Sequence, residues 1–137
     1  MALGKWFAGI LMVSVVVAGA ASATIYKCNI RPNSLYRGVS PVLVFSIDEE
    51  KNESLVYDVF IKAEFDKPIA AEIVVANDKR YTIRWTVNIP IEDSEKTKAQ
   101  VDYRATYIRR THRISVRGFP KGFDAELGGS GKCTVTR

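Results

Sequence analysis

Residues 80–89 read Arg-Tyr-Thr-Ile-Arg-Trp-Thr-Val-Asn-Ile. Successive side chains of an extended strand point to opposite sides, so Tyr81, Ile83, Trp85, Val87 and Ile89 share one face while Arg80, Thr82, Arg84, Thr86 and Asn88 share the other. That alternation predicts a strand with one face on a core and one face in water. The same rule extends along the chain in both directions. Over Leu55–Asp66 it places Leu55, Tyr57, Val59, Ile61, Ala63 and Phe65 inward, against Asp58, Lys62, Glu64 and Asp66, although Val56 and Phe60 break the polar side. Val101, Tyr103, Ala105 and Tyr107 oppose Asp102, Arg104 and Thr106, and His112, Ile114 and Val116 oppose Arg113, Ser115 and Arg117. Shorter strands are predicted at Ile25–Ile30, Val42–Asp48, Ala70–Ala76, Phe123–Leu127 and Lys132–Thr136.

Turn residues separate these runs: Arg31-Pro32-Asn33-Ser34, Asp48–Ser54, Asp66-Lys67-Pro68, Asn77-Asp78-Lys79, Ile91–Lys98, Gly118–Gly122 and Gly128-Gly129-Ser130-Gly131. Glu92–Gln100 has helix-favouring residues without an apolar stripe and reads as a loop or one exposed turn. The expected fold is all-β: a single small antiparallel barrel of about eight to nine strands, with a β-sandwich as the alternative. Cys28 shares a face with Tyr26 and Ile30, and Cys133 shares one with Val135, so a Cys28–Cys133 disulfide would join the first strand to the last. Pairing the terminal strands closes a barrel and removes its edges, which favours the barrel.

The chain has 137 residues and these two cysteines only. One cation, Lys5, precedes an apolar run from Trp6 to Ala18, shorter than the roughly 20 residues needed to span a bilayer. Ala21-Ser22-Ala23 then forms a cleavage site, so 1–23 reads as a signal peptide and 24–137 as one domain; Ala18-Gly19-Ala20 is an alternative site, and an uncleaved anchor is the competing interpretation. Ile25-Tyr26-Lys27 before Cys28 lacks the small residues of lipoprotein processing, so no lipid anchor is expected. An even cysteine pair in an exported chain reads as a disulfide, and closing so long a loop removes about 4–5 kcal/mol of unfolded-state entropy. The expected location is periplasmic or secreted. With 47% apolar and 26% charged residues, disordered, collagenous and multi-span membrane classes are excluded.

Catalytic patterns are sparse. The one histidine, His112, falls by parity on the apolar face of its strand, which suits packing better than general-base chemistry. Gly128-Gly129-Ser130-Gly131-Lys132 lacks the last glycine of a nucleophile elbow, and Gly131-Lys132 lacks the rest of a phosphate loop. Carboxylates at Asp48-Glu49-Glu50 with Glu53, and at Glu92-Asp93 with Glu95, have no calcium-loop pattern and read as solvated loop charge. Asn52-Glu53-Ser54 matches a glycosylation sequon, relevant only in a eukaryotic source. No metal, cofactor or enzymatic activity is expected.

Charge is unevenly distributed. Residues 48–103 hold thirteen acids against eight bases, whereas residues 104–137 hold eight bases against two acids. Arg104, Arg109, Arg110, Arg113 and Arg117 lie in or beside a predicted hairpin and form the expected contact surface for an anionic protein or envelope component; the competing interpretation is that they pair with acids on neighbouring strands. Export disfavours nucleic acid as the partner. The expected function is therefore a non-enzymatic binding module. A second reading is a carrier of a small apolar ligand, with Tyr57, Tyr81, Trp85, Tyr103 and Tyr107 lining a cavity inside the barrel, against which stands plain core packing.

Tyr26-Lys27-Cys28, just after the leader and ahead of an all-β disulfide-linked domain, is similar to the opening of bacterial periplasmic lysozyme inhibitors of the membrane-bound C-type-inhibitor kind. The resemblance covers those three residues, carries over no site residue, and implies a third reading, a periplasmic enzyme inhibitor.

Overall fold

A computed structural model describes residues 23–33, 38–90 and 97–137. The leader proposed at 1–23 lies outside them save for Ala23, as do Glu92, Asp93 and Glu95. Eight strands follow one another around a closed barrel: β1 (Thr24–Pro32), β2 (Val42–Asp48), β3 (Glu53–Asp58), β4 (Ile69–Ala76), β5 (Arg80–Pro90), β6 (Lys98–Ile108), β7 (Arg113–Pro120) and β8 (Leu127–Thr136). Each pairs antiparallel with its sequence neighbours, and β8 closes on β1 with Cys28 directly opposite Cys133. The two cysteines form the disulfide. Barrel and disulfide are thus as expected, and the sandwich alternative is set aside.

The alternation of residues 80–89 holds. Tyr81, Ile83, Trp85, Val87 and Ile89 are buried, and across β6 they meet Tyr107, Ala105, Tyr103, Val101 and Ala99. Each inward apolar pair takes two side chains out of water at once, at about 25 cal/mol for each Å² of apolar surface buried.

Four sequence expectations are corrected. Leu55–Asp66 is not one strand. β3 ends at Asp58, and Val59–Phe65 forms a short helix, α1, because the Asp58 carboxylate accepts the Phe60 and Ile61 amides at 2.9 and 2.8 Å and so caps it. Its C-terminus is Asp66 in the left-handed conformation, with φ 55°. The inward face of β3 is also the opposite of that predicted: Ser54, Val56 and Asp58 are buried, while Leu55 is 50% exposed and Tyr57 half-buried on the outer side. Both faces of this strand carry apolar residues, so its own pattern does not fix its parity. Pairing with β2 does, since it sets Val56 against inward Phe45.

The strand count is eight, within the expected range, but the glycine run predicted as a turn lies within β8, and 123–126, predicted as strand, is loop. Glycine is required there by close approach. A Cβ on Gly131 would run into the Asn29 backbone, and one on Gly129 would come within 2.8 Å of Ile30. Finally, His112 is not on an apolar strand face. It sits exposed in the β6–β7 turn with φ 57°.

The two barrel ends differ. At one end α1 inserts the fully buried Ile61, and Glu64 ties the helix to β5 by accepting both the amide and the side-chain amide of Asn88, at 2.8 and 2.7 Å. At the other end the β2–β3, β4–β5 and β6–β7 turns surround an open mouth.

Candidate functional site

Of the residues proposed to line an internal cavity, Tyr81, Trp85, Tyr103 and Tyr107 point inward, and Tyr57 does not. The inward rings pack on one another: Trp85 and Tyr103 stack at 5.5 Å, Tyr26 and Phe45 at 4.7 Å, and Tyr26 lies 4.8 Å from Tyr107. Between Ile30, Val39, Ser40, Leu43, Asp58, Trp85, Tyr103 and Val116 the remaining void is about 10 Å³, the scale of one water molecule. These rings pack on one another, and the void beside Trp85 and Tyr103 is too small for an apolar ligand.

The predicted arginine surface divides in two. On the outer wall the register aligns Arg84, Arg104 and Arg117 directly across β5, β6 and β7. Two residues along, toward the mouth, Thr82, Thr106, Ser115, Ser130 and Arg31 form the next cross-strand row, in which Thr82 is buried with its hydroxyl on Thr106 while Ser115 and Ser130 are exposed, and beyond it Arg80, Ile108, Arg113 and Lys132 form another. Rows of this kind stand about 4.8 Å apart from strand to strand. Acids meet only the flanks: Glu72 pairs with Arg84 at 2.7 Å and Glu126 with Arg117 at 3.5 Å. Arg104, between two arginines, makes no ion pair among the described residues. Like charges directly opposite one another destabilise a sheet, so the barrel gains nothing from this row by itself. Arg84, Arg80, Lys132 and Arg31 were not singled out from the sequence, because their adjacency to Arg104 and Arg113 is created by strand pairing and not by chain proximity.

Arg110 is exposed in the β6–β7 turn. Arg109 turns away from the wall to the mouth. Its guanidinium carbon lies 4.9 Å from the centre of the Tyr81 ring, one of its terminal nitrogens donates to the Asn77 carbonyl at 3.0 Å, and its amide donates to the Lys79 carbonyl at 2.9 Å. Asn77 is in turn fixed by accepting the Lys79 and Arg80 amides on its side chain.

The mouth itself is a recess of about 410 Å³, floored by Tyr26, Tyr81 and Tyr107, with the acids Asp48, Glu49 and Glu50 and the bases Arg109 and Arg137 around it beside His112. Tyr81 donates to the Glu49 carboxylate, and the Tyr107 hydroxyl lies 2.6 Å from His112 Nδ1. Burial raises all three phenol pKa values above the ordinary tyrosine range; for Tyr81 the Glu49 carboxylate adds to the effect. At the closed end burial likewise pushes up Tyr103, which donates to the Gly38 carbonyl at 2.6 Å, and Asp58, whose rise the Ile61 and Phe60 amides oppose. Tyr81, Tyr107 and Arg109 are legible singly in the sequence, but Tyr26 and Glu49 are not legible there as their neighbours. The available signal was the parity of Tyr26 with Cys28, which places it on the interior face next to the terminal strand pair.

No protein family, curated protein or solved structure matches this chain.

Proposed function

We propose that this protein is an exported, non-enzymatic binding module that holds an anionic protein or envelope component against the outer wall of β5–β8, with Arg104, Arg113 and Arg117 as its main contacts. The carrying observation is the cross-strand alignment of Arg84, Arg104 and Arg117, which concentrates positive charge beside a row of hydroxyls on one flank of the barrel. Planar guanidinium forks with neighbouring hydroxyls suit carboxylate, sulfate or phosphate oxygens, which accept paired hydrogen bonds from arginine. The disulfide is compatible with an oxidising compartment, and the Lys5 to Ala23 leader pattern supports export.

The test uses a sulfated polysaccharide as a defined anionic probe, with affinity measured across a salt series. Wild-type affinity should fall with salt, and Arg104→Ala/Arg117→Ala should lower the slope of log affinity against log salt by about 2, one for each contact removed. Lys62→Ala/Lys67→Ala, at the closed end, removes the same net charge and should leave the slope unchanged. Equal slopes for wild type and the arginine pair variant refute the wall as the binding surface.

A further inference from the structure

We infer that the barrel mouth is a carboxylate-binding site now occupied by the protein's own Glu49, and that its ligand is an acidic side chain of a partner protein, which displaces Glu49. Tyr81 and Arg109 are held in place by contacts that do not involve Glu49. Tyr81 belongs to β5 and packs against Tyr26 and Tyr107, with ring centres 6.0 and 6.3 Å away. Arg109 is anchored by the Asn77 and Lys79 carbonyls and by the face of the Tyr81 ring. A phenol and a guanidinium so fixed form a preorganised pair of donors for an anion.

Glu49 satisfies that pair incompletely. Its Oε1 accepts from Tyr81, yet the nearest Arg109 nitrogen is 3.9 Å from the same oxygen, beyond hydrogen-bond reach. The guanidinium carries five donors and spends one on Asn77, so its fork toward the recess is under-used. A carboxylate free of the β2–β3 turn can take both the Tyr81 hydroxyl and a paired contact from Arg109. Displacing Glu49 breaks its bond from Tyr81, which an incoming carboxylate remakes. The Glu49 side chain is 56% exposed, an exposed ion pair contributes little, and the one backbone bond closing its turn, from the Asn52 amide to the Glu49 carbonyl, is long at 3.4 Å.

There is also room for a guest. Glu49 and Arg109 form the partition between the 410 Å³ recess and a second one of about 280 Å³ lined by Asn52, Ile73, Ala76, Asn77 and Asp78. Outward movement of Glu49 joins the two spaces with Arg109 at their centre. A protein side chain fits this geometry because its own backbone can rest on the exposed turns around the mouth.

The proposal is independent of the outer wall, since neither Arg104 nor Arg117 lines the mouth. Acetate and a blocked tetraglutamate peptide are titrated at constant ionic strength, with the nitrogen and proton resonances of the Arg109 side chain as the readout. Glu49 competes for the same donors through an exposed contact worth up to about fivefold in affinity, so Glu49→Ala should bind acetate about two- to fivefold more tightly than wild type. Glu49→Ala/Arg109→Ala, followed by the imidazole resonances of His112, which also lines the recess, and Glu49→Ala/Tyr81→Phe should lose that gain, while Arg104→Ala/Arg117→Ala in the Glu49→Ala background should keep it. Equal acetate affinity of wild type and Glu49→Ala overturns the site. Tetraglutamate binding Glu49→Ala more tightly than acetate supports the protein ligand, and equal affinity overturns it.

Discussion

The two ends of the barrel use tyrosine in opposite ways. At the closed end Tyr103 is sealed under α1 and the 38–41 segment, with its hydroxyl spent on the Gly38 carbonyl and its ring stacked on Trp85. At the mouth Tyr26, Tyr81 and Tyr107 have buried rings, yet all three line a recess, where the Tyr81 hydroxyl meets Glu49 and the Tyr107 hydroxyl meets His112, both exposed. What separates a core tyrosine from a site tyrosine here is therefore the last atom: one hydroxyl ends on backbone that water cannot reach, the others end where water and ligands can. Changes at the closed end should be felt in stability, and changes at the mouth in binding.

The largest effect expected from this contrast is that of Trp85→Ala. The side chain fills the closed half of the barrel beside a void of about 10 Å³, so truncation opens a cavity that the closed sheet cannot collapse around. Urea unfolding should show a loss of about 3–5 kcal/mol. A loss below about 1 kcal/mol would mean that the closed half is loosely packed. A finer contrast removes one hydroxyl at each end. Tyr103→Phe leaves the Gly38 carbonyl buried without its partner and should cost about 1–3 kcal/mol, whereas Tyr81→Phe leaves the exposed Glu49 free to turn to water and should stay within about 0.5 kcal/mol. Equal costs would erase the distinction between the two ends.

How far the sequence disclosed this arrangement depended on whether polarity and parity agreed. Along β5 and β6 every inward residue is apolar and nearly every outward residue is polar, so Tyr81, Trp85, Tyr103 and Tyr107 were placed inward correctly. In β3 Ser54 and Asp58 face inward and Leu55 outward, which inverts the signal, and Tyr57 was misplaced with it. The clue that a helix follows was Asp58 itself: a carboxylate ahead of Lys62, Ala63 and Glu64, with Pro68 beyond, forms a cap and a stop that period-two counting passes over. The glycines of β8 were misread for a related reason. Their role is set by how closely β1 approaches, a fact about the partner strand that local turn chemistry does not contain. The candidate sites were legible residue by residue but not as sites. Cross-strand rows such as Arg84, Arg104 and Arg117, and the meeting of Glu49 with Tyr81, arise from register between segments up to 33 residues apart.

The effect that probes both ends together, read as a slope and not as a single loss, is that of alkaline pH. Burial is the first cause of the raised pKa values of Tyr26, Tyr81, Tyr103 and Tyr107. Below about pH 10, the ordinary value for tyrosine, folded and unfolded chains both hold these protons and the full stability is present. Above it the unfolded chain releases them while the folded barrel retains them, so stability falls as pH rises, by up to about 1.4 kcal/mol per pH unit for each proton released. Urea midpoints followed from pH 9 to 12, with tyrosinate absorbance recorded in parallel, should therefore decline in wild type above pH 10. Tyr103→Phe, less stable at pH 9, should decline less steeply because one of the protons is gone. If tyrosinate instead forms near pH 10 in the folded protein with no loss of stability, the hydroxyls at both ends are open to water, and the contrast between the sealed Tyr103 and the mouth tyrosines fails.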